Sequence, residues 1–370
     1  MRPGKVPENV LKRSVLRQIG EKDRQEGLNG AGIGKDCAFF SFSGEGNLVG
    51  CMQEAVVLPG ERRSGTARSR TIEGGEGKPE SRAGCGSETV PGQNAEAFMN
   101  MSDLIQKCAN NLAVGGARPA AAMIALLMPE DAEESMLRGL MEEAAGKCRE
   151  LNMEIVGGQS RITGAVRMPV AVVTGVGRPF ENKREKDEML PEKAAPGQDI
   201  VLSKWIGLQG TAAVARRNLE KLFGRYPAYL VEEAAGFDRY LSVLPEAEIA
   251  VKNGVRAMHD ASEGGILGAL WEFAEGAGVG LTVNMRKLPL RQETVEVCEC
   301  CNVNPYELMS GGCLIMACRD GMGLAAALEA EGIPAAIVGK VTDSKERILL
   351  NGDEIRYMNR PERDGIYTRG

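Results

Sequence analysis

Two rhythms of apolar positions run along the chain, one of about 3.6 residues and one of strand-like alternations or short unbroken runs. The most regular helical stretch is Glu130–Leu151. Acidic residues fill its first turn, and Met136, Leu137, Leu140, Met141, Ala144, Cys148 and Leu151 form one stripe. Val10–Ile19 and Asp103–Val114 follow the same rhythm, the second with Ser102 as its predicted cap. Strands are predicted at Cys37–Phe42, Leu48–Leu58, Ala120–Leu127, Ile155–Val156 and Met168–Val176. Farther on, helices are expected at Thr211–Phe223, Pro245–Asn253, Glu263–Ala277, Glu293–Cys300 and Gly323–Glu331. Strands are expected at Asp199–Ser203, Val279–Val283, Cys313–Cys318 and Ala335–Val341. Helices and strands mix in both halves, which suits two α+β domains of similar size.

Two segments interrupt the pattern. Residues 59–93 are rich in glycine and charge with almost nothing to bury, the composition of a disordered insertion. Residues 181–197 are charged and carry prolines, the best domain boundary. The expected organisation is therefore an N-terminal domain over 1–180, a linker over 181–197, a C-terminal domain over 198–345 and an extension over 346–370.

Composition narrows the function. The net charge of −6 and an aromatic share of 4% argue against broad nucleic-acid binding. The longest apolar runs, such as Ala120–Met128, fall far short of the roughly 20 residues that cross a bilayer. Ten cysteines in a long chain with a polar start read as reduced thiols in a cytoplasmic protein. The single histidine, His259, excludes multi-histidine zinc sites. Chemistry must then rest on carboxylates, amides, lysines, backbone N–H groups or a thiol.

Four segments are candidates for it. Gly30-Ala-Gly-Ile-Gly34-Lys-Asp36 lets the backbone approach a ligand and ends on a carboxylate suited to Mg2+. Asn110-Asn111-Leu-Ala-Val-Gly115-Gly116-Ala-Arg118-Pro119 reads as a helix stop, or as two amides facing a ligand. Ile155-Val-Gly157-Gly158-Gln159-Ser160-Arg161 reads as a strand entering a tight turn. In His259-Asp260-Ala-Ser262-Glu263-Gly264-Gly265 a strand meets a helix whose first amides can hold an anion. Cys298, Cys300, Cys301, Cys313 and Cys318 offer a fifth reading, as zinc ligands or redox thiols, although their positions also fit apolar stripes.

Taken together, the four segments resemble the aminoimidazole ribonucleotide (AIR) synthetase superfamily, within it AIR synthase-related proteins and hydrogenase maturation factors of the carbamoyl-dehydratase type. Pro3-Gly4-Lys5-Val6-Pro7, Leu202-Ser-Lys204, Leu208-Gln-Gly210-Thr211, Met309-Ser310-Gly311-Gly312 and Ile337-Val338-Gly339-Lys340-Val341 add to the likeness. The resemblance implies a ferredoxin-like N-terminal domain that forms a β-barrel with its copy in a homodimer, and a second α+β domain. It also implies ATP and Mg2+ in a cleft between the domains and phosphoryl activation of a small amide- or carbonyl-type substrate. Asp36 and Asp260 would be catalytic and would ligate the metal with Glu54. Gly34, Asn110, Asn111, Gly157, Gly158, Lys204, Glu263 and Gly264 would contact the nucleotide. Asn111 stands where the family commonly has aspartate, and Glu54 is the lone carboxylate where relatives carry Thr-Asp. The chain ends Ile366-Tyr-Thr-Arg-Gly370 without the carbamoyl-carrying cysteine, and no cysteine precedes Cys37 as in selenophosphate synthetases. A homodimeric scaffold that has lost catalysis is the alternative these departures raise.

Overall fold

The computed structural model describes residues 10, 13–14, 38–41, 48–58, 99–180, 192–361 and 364–367. The Val10–Ile19 helix as a whole, the segment holding Gly34 and Asp36, the insertion 59–93 and most of the 181–197 boundary lie outside them.

The N-terminal half builds a five-stranded sheet. Its elements are β1 (Ala38–Ser41), β2 (Leu48–Val57), α1 (Met101–Val114), β3 (Ala117–Met128), α2 (Glu134–Glu150), β4 (Glu154–Ile162) and β5 (Val170–Pro179), in the sheet order β1-β2-β5-β3-β4. Only β3 and β4 are parallel, joined through α2 as a βαβ crossover. Alternate residues of β3 and β5 are buried, as one covered sheet face requires. Leu104, Ile105, Cys108 and Leu112 of α1 meet Ala122, Ile124, Leu126, Ala171 and Val173 there. The cap of α1 is Asn100, not Ser102. Asn100 Oδ1 accepts from the Asp103 amide at 2.8 Å, and the Asp103 carboxylate accepts from the Asn100 amide at 3.2 Å.

The C-terminal half is a seven-stranded sheet with helices. It runs β6 (Asp199–Ser203), α3 (Leu208–Arg217), α4 (Leu219–Phe223), α5 (Ala228–Ala235), α6 (Leu244–Lys252), β7 (Ala257–Asp260), α7 (Gly265–Ala277), β8 (Gly280–Asn284), α8 (Gln292–Cys301), β9 (Leu314–Cys318), α9 (Gly321–Ala330), β10 (Ala335–Thr342), β11 (Arg347–Asn351) and β12 (Glu354–Tyr357). The sheet order is β12-β11-β8-β10-β6-β9-β7. Three expectations change. The helix at 211–223 is two, broken at Asn218, whose Nδ2 donates to the Val214 carbonyl at 2.8 Å. Residues 228–235 form a helix that the pattern did not single out. The stretch read as an extension from 346 supplies β11 and β12, with β11 parallel to β8, so this sheet continues beyond 345.

The halves share a core. Ala113, Val114 and Phe180 cluster with Val243, Ala247, Met258 and Leu314. Arg118 pairs with Glu248 at 2.8 Å across the same seam. Among the described residues no helix is long and apolar enough to cross a membrane.

Candidate functional site

Helix α1 brings polar groups to the seam. Its residues 107 and 111, four apart, stand one above the other on one face. Lys107 Nζ donates to Glu54 Oε2 and Asn111 Nδ2 donates to Glu54 Oε1, both at 3.1 Å. Glu54 lies opposite Val173 in the β2–β5 register, so it faces the side of the sheet that α1 covers. Glu54 and Asn111, both expected near ligand, are therefore brought together, with Lys107 as an added cation that the sequence reading missed.

One residue earlier, Asn110 is a strut between the halves. Its Nδ2 donates to the Leu241 carbonyl at 2.7 Å. Its Oδ1 accepts from the Val243 amide at 3.1 Å and from Gln106 Nε2 at 2.9 Å. Lys204 holds the same loop from the other side. Its Nζ donates to the carbonyls of Tyr240 at 2.9 Å and Ser242 at 2.5 Å, and it pairs with buried Glu246 at 2.5 Å. The polar atoms of both residues are engaged within the protein.

Asp260 ends β7, buried, and is followed by the turn into α7, where the Ser262 amide donates to the Asp260 carbonyl at 3.0 Å. The Ser310 amide donates to the Ser262 carbonyl at 3.1 Å, which joins this turn to the Met309-Ser310-Gly311-Gly312 segment. Gly264 caps α7 with φ +89, a left-handed conformation natural to glycine. Gly265, at φ +64, has backbone of Tyr306 and Glu307 within 2.6 Å of where a Cβ would sit. Glu263 is half-buried beside them. The Gly264 amide, expected to meet an anion, already donates to Asp364 Oδ2 at 2.6 Å. Asp364 Oδ1 accepts from Met309 at 3.1 Å and from Ile366 at 2.9 Å. A carboxylate from the chain's end thus takes the seat at the helix entrance.

Burial raises the Asp364 carboxyl to about 6 from its ordinary 3.8, against the lowering effect of the backbone amides that donate to it. The unfolded chain loses this proton near pH 4 and the folded one near pH 6. Stability from this group is then full below about pH 4 and is lost as pH rises through 6. Wild type should exceed Asp364→Asn in urea-measured stability by about 2 kcal/mol more at pH 4 than at pH 7. An equal or larger difference at pH 7 would contradict this assignment.

Gly157 and Gly158 lie elsewhere. They sit within β4 on the edge of the sheet, separated from β2 by β5 and β3. The expected tight turn is a continuing strand. Ala122 faces Ile155 and Met123 faces Gly157, so Val156 is the extra residue of a β-bulge.

Among the described residues the cysteines of α8 and β9 supply no reactive centre. Cys298, Cys300 and Cys301 are buried on α8 within an apolar cluster. Burial pushes the Cys298 thiol up to about 12 and Cys318 up to about 11, which keeps both protonated. Among the described residues no three His, Cys, Asp or Glu side chains are grouped to hold a metal ion.

Comparison with known proteins agrees with this architecture. The family model "AIR synthase related protein, N-terminal domain" matches residues 101–178, and its C-terminal counterpart matches 195–350. Carbamoyl dehydratase HypE of Rhodobacter capsulatus is 30% identical over 237 residues, covering 62% of this chain and 66% of that protein. The chain thus spans just under two thirds of that relative's length. A structure of hydrogenase maturation protein HypE in complex with ATP superposes with a TM-score of 0.62 at 16% identity, covering 99% of this chain and 98% of the other. A ThiL protein complexed with AMPPCP and TMP gives 0.64 at 16% identity over 96% and 99%. At such identity the structures speak for the fold alone. Two successive domain matches, in order and over most of the described residues, show that the chain belongs to the AIR synthase-related family.

Proposed function

We propose that this protein uses ATP to activate a small amide- or carbonyl-type substrate by phosphoryl transfer. The reading is supported by its relatives: one HypE is solved with ATP, a ThiL with AMPPCP, and a selenide, water dikinase of Pseudomonas straminea is 28% identical over 176 residues. The observation that carries it is the seam itself, where α1 with Lys107 and Asn111 packs on β7, which ends in Asp260. Phosphoryl transfer depends mainly on positioning and charge neutralisation. On this reading Lys107 supplies positive charge, the buried seam excludes water, and a triphosphate reaches the entrance of α7 only by displacing Asp364 from the Gly264 amide.

Magnesium fits this centre only in part. Asp260 has the hard oxygen chemistry a divalent ion prefers. Glu54 does not fit, because an ammonium and an amide already hold its two oxygens.

The departures also support a second reading, a nucleotide-binding scaffold without catalysis: Asn111 in place of a carboxylate, and Asp364 seated on the Gly264 amide. We place the protein in the cytoplasm as a homodimer. The support for pairing is a face of the five-stranded sheet that the described residues leave uncovered, where Met123 is 43% exposed beside Ala125, Leu127, Val170, Val172 and Val176.

Calorimetric titration with ATP and Mg2+ should give micromolar binding that Asp260→Asn weakens at least tenfold. Sedimentation of the same sample should show twice the 39.6 kDa chain. No binding at millimolar ATP would refute the enzymatic reading, and a monomer would refute the homodimer.

A further inference from the structure

The Glu54 centre is already neutralised from within. Lys107 Nζ stands 3.1 Å from one carboxylate oxygen, and the Asn111 amide donates to the other at the same distance. Both donors come from one face of α1, whose packing against β2, β3 and β5 fixes them. The pair is shielded without being sealed, with side-chain exposures of 15% for Lys107 and 24% for Glu54. A divalent ion on Glu54 would lie beside this ammonium, and like charges at that range repel strongly in a half-buried site. No cluster of three acidic, histidine or cysteine side chains among the described residues offsets that repulsion.

We propose that Lys107 is the resident cation of this centre, taking on Glu54 the place of a metal ion, and that it is a contact for the polyphosphate chain of a ligand entering the seam. An ammonium has three donors, and Glu54 takes one of them. An approaching phosphate competes with Glu54 for the same charge. Polyphosphate binding at this end of the site then needs no divalent ion, and Glu54 opposes it. The identity of the ligand as a nucleotide rests on the reading above; the counter-ion role of Lys107 does not.

Two titrations on the full chain test this. Inorganic tripolyphosphate, followed by calorimetry in EDTA, should bind wild type. Lys107→Met should weaken binding at least tenfold, Lys107→Arg should keep most of it, and Glu54→Gln should strengthen it severalfold. Mn2+ binding, followed by electron paramagnetic resonance without nucleotide, should be the same in wild type and Glu54→Gln. The inference is overturned if Lys107→Met leaves tripolyphosphate affinity unchanged, or if Glu54→Gln removes a bound Mn2+. A protein that binds tripolyphosphate through Lys107 and ignores ATP would refute the nucleotide reading and leave this one standing. Thermal melts of each variant separate loss of binding from loss of fold.

Discussion

Lys204→Met should cost about 3–5 kcal/mol of folding stability, the range for breaking one side of a buried ion pair. The Lys204 and Glu246 side chains are only 9% and 2% exposed, so Glu246 would be left as an uncompensated buried charge. Two carbonyls, of Tyr240 and Ser242, would lose their donor in the same step. The backbone adds to the case. Lys204 holds φ +51, a conformation unusual for a non-glycine residue, and its amide is tied to the Pro334 carbonyl at 2.7 Å. Methionine keeps that backbone and much of the side-chain volume, so the loss isolates the ammonium. The loop that Lys204 holds also receives Asn110 from α1, so the seam between the halves should loosen with it. Urea denaturation gives the magnitude, and Lys204→Met/Glu246→Leu should recover part of it by removing the orphaned charge. A loss below 1 kcal/mol would mean that the ammonium is not a structural post and is free to serve a ligand.

The sequence made the elements far more legible than the interactions that complete the site. The α2 helix shows itself because its stripe at three- and four-residue spacing is local, and the structure trims the expected Glu130–Leu151 only to Glu134–Glu150. The β11–β12 hairpin escaped because β12 is four residues long and exposed throughout, so the alternation in Glu354-Ile355-Arg356-Tyr357 is too short to mark a strand and buries no face. The turn at His259-Asp260 and the glycines after it were readable as a strand meeting a helix. Its partner was not: Asp364 lies 100 residues from Gly264 in sequence, in a polar tail without periodicity. Lys107 is a similar case. A lysine on a helix is an ordinary solvated residue until the fold brings Glu54, 53 residues away, beneath it. Local rhythm foretells secondary structure, whereas pairing across tens of residues is decided by packing.

Gly158→Ala should cost about 3 kcal/mol or more, and Gly157→Ala less than about 1 kcal/mol, although the two are neighbours in one motif. A Cβ on Gly158 would sit 1.8 Å from the Ile124 carbonyl oxygen and 2.6 Å from its carbon, both backbone atoms of the paired strand. Its φ of +146 is a second obstacle to any side chain. At Gly157 the nearest atom is Met123 Cγ at 3.9 Å, an ordinary contact. The cause is the bulge at Val156, which turns the strand so that the next residues approach β3 closely. Since β4 lies at the edge of its sheet, with Val156 and Ile162 more than half exposed, backbone pairing carries much of its attachment. Alanine at Gly158 should therefore release β4. Amide exchange would rise along Glu154–Ile162 and at the β3 amides facing it, while the C-terminal sheet keeps its protection. Equal losses at the two positions would remove the bulge as the reason for the second glycine. Unchanged stability in Gly158→Ala with weakened ATP binding would return that glycine to the nucleotide-contact role its motif first suggested.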